Sequence, residues 1–139
     1  MSSRSRVGTG GRAVLAATIG SMAAAIAMVA GTGTASAAPV GTVDAGVPFS
    51  SVVYGTGCRY NLTVQVDASG PVTFWERAQG HPERFLGAAQ ADGAIATIRW
   101  VPQRIGDRLL YAKQNGVTGP TVVMRVHQGY GSGWACFAL

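Results

Sequence analysis

Two histidines, two glutamates and two cysteines are the residues after position 38 whose chemistry reaches beyond packing. His81 stands in a Gly80-His81-Pro82 loop, where nothing orients it. His127 alternates with Arg125 onto the polar face of the last strand. Neither belongs to an H-x-x-x-H, H-E-x-x-H or Cys/His spacing, so no metal-ligand set is written into the chain. Glu76 and Glu83 are split by a loop, and nothing in their setting points to the paired carboxylates of a glycosidase. Asp44, Asp67, Asp92 and Asp107 read as turn and cap residues. Gly131-Ser132-Gly133 lacks the flanks of a nucleophile elbow, and no glycine-rich stretch opens a helix to cradle phosphate. Asn61-Leu62-Thr63 matches the glycosylation pattern, but reads more simply as strand residues on a wet face. The chain is therefore not expected to be an enzyme, with no catalytic residue, cofactor or metal.

The cysteines, Cys58 and Cys136, are the only two in the chain. Their reading depends on the compartment, and the N-terminus decides that. Arg4, Arg6 and Arg12 form a basic n-region without an acid nearby, and residues 13–30 are an uncharged apolar run. Small residues then lead to Ala35-Ser36-Ala37, an A-x-A cleavage site. The expectation is a signal peptide over 1–37, cleaved after Ala37, with a secreted, extracellular domain over 38–139. An uncleaved anchor is the alternative, at the short edge of a spanning helix. Contact with the membrane is expected only through the signal before cleavage.

In an oxidising compartment an even cysteine count reads as a disulfide, Cys58–Cys136. A reactive thiol beside Arg59 is the competing reading. Removing the signal leaves eight of the eleven basic residues against six acids. That residual charge is too weak to argue for nucleic acid or an anionic membrane surface. The remaining chain, about 100 residues, is one domain near the size where burial begins to suffice.

The elements that position these residues are strands. Cys58, Tyr60, Leu62, Val64 and Val66 alternate with polar neighbours, the pattern of a half-buried antiparallel strand. Asp67 to Pro71 is a turn, and Val72 to Arg77 a second strand rich in β-branched and aromatic residues. A short strand from Arg84 to Ala88 leads to Asp92-Gly93, a hairpin signal. Ala94 to Val101, Arg108 to Gln114 and Thr121 to His127 follow, with Asn115-Gly116 as a further turn. Leu109-Leu110 leaves the facing of its strand open. Val40 to Val53 supplies one or two irregular edge strands. About seven short strands with frequent turns predict an all-β, immunoglobulin-like antiparallel β-sandwich.

Tyr60 to Gly116 resembles the immunoglobulin-like repeats of bacterial surface and secreted proteins (the Big type). The matching residues are Val72-Thr73-Phe74, Leu86-Gly87-Ala88-Ala89, Asp92-Gly93 with Ala96, Trp100 and Pro102, then Gly106, Leu110 and Ala112. The resemblance covers a little over half of the exported part. Those repeats usually lack a disulfide, and the two cysteines do not sit mid-strand as in antibody domains. In such a sandwich the second strand begins at the pole where the last one ends, so a Cys58–Cys136 bridge would tie the C-terminal tail there.

Function then rests on exposed aromatics. Trp75 and Tyr111 can face either side of their strands. Tyr130-Gly131-Ser132-Gly133-Trp134 is a flexible segment suited to contact with a sugar or partner protein. Trp134 and Phe137 can instead fold back over the sandwich edge, and a bare edge favours that cover. The candidate ligand contacts are Trp75, His81, Tyr130 and Trp134. The leading expectation is a secreted binding module for a protein or carbohydrate at the cell envelope or in the medium. A carrier or inhibitor holding a small ligand in a sandwich crevice, and a small secreted hydrolase, are the alternatives.

Overall fold

Alternation sets the strand faces, as β2 (Tyr60–Gln65) illustrates. Leu62 and Val64 are buried, while Asn61 and Gln65 face solvent. The structure, a computed structural model, describes residues 36–46, 53–133 and 135–139. All of the expected export signal except Ser36 and Ala37 lies outside the described residues, as does Trp134.

β2 pairs antiparallel with β5 (Ile95–Trp100), from Tyr60↔Trp100 to Gln65↔Ile95. Residues 38–44 add an irregular edge through bridges at Pro39↔Val66 and Asp44↔Thr63. The larger sheet holds β1 (Val53–Gly55), β3 (Pro71–Ala78), β4 (Arg84–Gln90), β6 (Gly106–Gln114) and β8 (Val122–His127). Its order is β1-β8-β6-β3-β4, with β7 (Val117–Thr118) against β6. All its pairings are antiparallel except β1 with β8.

The sheets share one core. Leu62, Val64, Ala96 and Trp100 come from the smaller sheet, and Val72, Phe74, Leu110, Met124 and Val126 from the larger. Each large side chain so buried contributes about 1.5–3 kcal/mol. The chain is an all-β sandwich with the immunoglobulin-like division of strands. Among the described residues six strands of six to nine residues are joined by four short ones of two to four. Leu110 points inward and Leu109 outward, half-buried.

The turns are local chemistry. Asn115 (φ 49°) and Gly116 (φ 79°) are both left-handed, as a two-residue type I′ turn requires, and they join β6 to β7. Asp92-Gly93 behaves differently from the expected hairpin. Asp92 and Ile95 exchange backbone hydrogen bonds (2.8 and 3.3 Å), but β4 pairs with β3 and β5 with β2. The turn carries the chain from one sheet to the other, because packed sheets stand about 10 Å apart.

The C-terminal tail, expected as a flexible segment, is a hairpin. β9 (Gly129–Ser132) pairs with β10 (Ala135–Ala138), and Cys136 lies inside a strand rather than beyond the last one. Glycine permits this: a Cβ on Gly129 would collide with the Thr56 carbonyl, and one on Gly131 (φ 102°) with that of Ala135. Cys58 and Cys136, 78 residues apart, form a disulfide with a Cα separation of 5.5 Å. It ties the hairpin to the pole where β2 begins and β8 ends, as the sequence led one to expect.

Candidate functional site

A one-residue bulge builds the most unusual feature of the larger sheet. Phe74 pairs with Gly87, but its neighbour Trp75 pairs with Phe85, leaving Leu86 as the extra residue on β4. Side chains directly opposite share a face. Past the bulge, Phe85 therefore meets Trp75 on the outer face, and Arg84 meets Glu76 on the inner one. In unbroken register Phe85 would have faced Glu76.

Glu76 continues the inward row of Val72 and Phe74 and is buried. Its carboxylate accepts a hydrogen bond from Arg84 Nη2 at 2.6 Å and lies 3.4 Å from Arg108 Nε. The Arg108 side chain is only 8% exposed. Its Nε and Nη2 donate to the carbonyls of Arg104 (3.3 Å) and Ile105 (2.9 Å). Removing one partner of such a set would strand a buried charge. Above it opens a cavity of about 330 Å³, with His81, Gln103 and Arg104 among its lining. Gly80 (φ 74°) lies in the turn between the lining residues Ala78 and His81, closed by His81 N–H donating to the Ala78 carbonyl at 3.1 Å.

The outer face carries a second cluster. Trp75 and Phe85 meet edge to face at 5.3 Å between centroids. Trp75 Nε1 donates to Thr73 Oγ1 at 2.9 Å, and Lys113 Nζ sits 4.4 Å from the Trp75 ring centroid. Glu83 accepts hydrogen bonds from the Tyr111 hydroxyl and from Lys113 Nζ at 3.1 Å. The Tyr111 bond, and then Lys113, hold the Glu83 carboxyl below its ordinary range. Burial, and then Glu83, push the Tyr111 phenol up to about 12. Phe85 (53%) and Val123 (58%) remain exposed on this sheet, and Val123 pairs with outward-facing Leu109.

The sequence-based candidates separate in space. Trp75 belongs to the outer cluster and His81 to the cavity. Tyr130 is exposed and stacks on Phe137 at 5.7 Å on the C-terminal hairpin. Trp134 lies outside the described residues. His127 has a partner: its Nδ1–H donates to the Leu139 carbonyl at 2.6 Å, fixing the end of the hairpin. Among the described residues no three His, Cys, Asp or Glu side chains gather as a metal site would need. Sequence reasoning set Glu76 aside and missed its pairing with Arg84 and Arg108. The available signal was the alternation of Val72, Phe74 and Glu76, which sends a carboxylate inward and obliges it to find cations.

Neither a family model nor a curated protein matches the chain.

Proposed function

We propose that this chain is an exported, non-catalytic interaction module, similar to the immunoglobulin-like repeats of bacterial surface proteins. Its partner is a protein, bound on the outer face of the larger sheet. The observation carrying this reading is the rigid outer cluster: Trp75 and Phe85 in edge-to-face contact, Lys113 over the indole, and exposed Val123 further along the same sheet. Aromatic anchors within a polar, cationic surround suit a protein surface. Lys113 already occupies the indole face, where a sugar ring would otherwise stack. The disulfide is compatible with an oxidising compartment. The chemistry nearby is poor for turnover, because Glu83 is held ionised by Tyr111 and Lys113 rather than poised as a general acid.

The test is cross-linking and capture from culture medium and cell envelope with three proteins. They are the unaltered chain, a Phe85→Ser/Val123→Ser variant, and an Arg99→Gln variant altered on the opposite sheet. One protein retained by the unaltered chain and by Arg99→Gln, but lost by the double variant, is the expected result. Equal capture by all three, or loss with Arg99→Gln alone, would remove the outer face from consideration.

A further inference from the structure

The cavity beside Glu76 makes a different demand on a ligand from the outer face, and its reading does not depend on that face. A buried ion set is weak as a stabilising device, since apolar residues of similar volume often do as well or better. Packing therefore gives little reason for an arginine–glutamate–arginine set here. Arg108 has five N–H donors. Glu76 and the carbonyls of Arg104 and Ile105 engage Nε and Nη2, and no partner among the described residues takes Nη1. The sealed polar atoms without partners, among the described residues, are Trp100 Nε1 and Gln114 Oε1. Nη1 of this nearly buried side chain is thus still reachable by solvent, and Arg108 lines the cavity.

Charge then selects the ligand. Arg84, Arg104 and Arg108 line the cavity together with Glu76 and Glu83, an excess of one cation. Glu83 is in addition paired with Lys113. Arg104 has no ion-pair partner among the described residues. We propose that this cavity binds a small monocarboxylate, received by Arg108 Nη1 and the Arg104 guanidinium. Guanidinium groups suit the planar, two-oxygen geometry of a carboxylate. The two carboxylates on the lining oppose a dianion such as phosphate more strongly than a monoanion. Ala78 and Pro82 supply apolar contact for a short aliphatic body.

Titrating the purified chain with sodium butyrate at fixed ionic strength tests this, followed by amide NMR and calorimetry. Saturable shifts confined to residues 79–84 and 101–108 are expected, with none from butyramide. Arg104→Ala should weaken butyrate binding about tenfold, and Arg104→Lys much less, because charge is kept while the fork is lost. Arg104 is exposed, and unchanged β2 and β5 resonances would certify that the variants are folded. A response that does not saturate, an equal response to butyramide, or unchanged affinity in Arg104→Ala would overturn the site. Tighter binding of inorganic phosphate than of butyrate would overturn the monocarboxylate assignment.

Discussion

At one end of the sandwich, the connections Asp67–Gly70, Asp92–Ile95 and Asn115–Gly116 are tight turns carrying a left-handed glycine. At the other end, where the segments 79–83 and 101–105 and the C-terminal hairpin lie, the ties come from distant parts of the chain. They include the 78-residue disulfide span, Gly129 N–H donating to Thr56 Oγ1 at 3.1 Å, and Gly57 N–H donating to the Pro102 carbonyl at 2.9 Å. Both ends bury a polar side chain from the larger sheet. At the turn end Gln114 donates through Nε2 to the Ala68 carbonyl at 2.9 Å, a neutral bond that itself spans 46 residues. At the hairpin end Glu76 takes two guanidinium groups. Turns set register, whereas long-range ties hold irregular loops in place. The end with the cavity is the one that needs the second.

The largest effect that would separate the two ends is loss of the disulfide. The Cys58→Ser/Cys136→Ser variant gives up a staple worth about 4.5 kcal/mol in the chain-entropy account. Chemical denaturation should show most of that loss. Hydrogen exchange should show residues 129–138 losing protection first, while the Asn115–Gly116 turn keeps its own. Uniform loss at both ends would mean that they do not act independently. A smaller but still large effect belongs to Glu76→Gln. It leaves Arg108 buried without its carboxylate and should cost about 3 kcal/mol. Arg125→Gln removes an exposed pairing with Asp107 at 3.5 Å and should cost no more than about 0.5 kcal/mol. Equal costs, measured by denaturant midpoint, would show that Arg108 finds another partner.

The same contrast explains what could be read from the sequence. Alternation exposed β2, β3, β5 and β8 because side-chain period is a property of neighbours in the chain. Asn115-Gly116 announced its turn because left-handed φ values are a residue preference. Asp92-Gly93 announced a turn equally well, but not that the strands beside it would pair elsewhere. That is decided by which edges are free when the sheets form. The bulge at Leu86 changes no residue type, only register, and register is a relation between two strands. The cavity was hidden for that reason, although Glu76 and Arg84 were both in view. Of the sites, the disulfide was legible from two cysteines and a compartment. The hairpin around Cys136 was hidden behind glycines that read equally well as flexibility.

A further small effect lies at the turn end and depends on the proposed processing after Ala37, which N-terminal sequencing of the mature protein checks directly. Ala38 N–H donates to Asp67 Oδ1 at 2.7 Å, and Asp67 N–H donates back to the Ala38 carbonyl at 3.3 Å. Cleavage after Ala37 would turn that amide nitrogen into an ammonium. The hydrogen bond, with one ionised partner before cleavage, then has two. Asp67 is exposed, so the gain is limited to about 0.2–1 kcal/mol, and salt should weaken it. The comparison is between chains beginning at Ala38 with a free and with an acetylated amine, at low and high ionic strength. The free amine should be more stable at low salt, with the difference shrinking at high salt and vanishing in Asp67→Asn. An acetylation effect that survives Asp67→Asn would place the benefit elsewhere than in this pair.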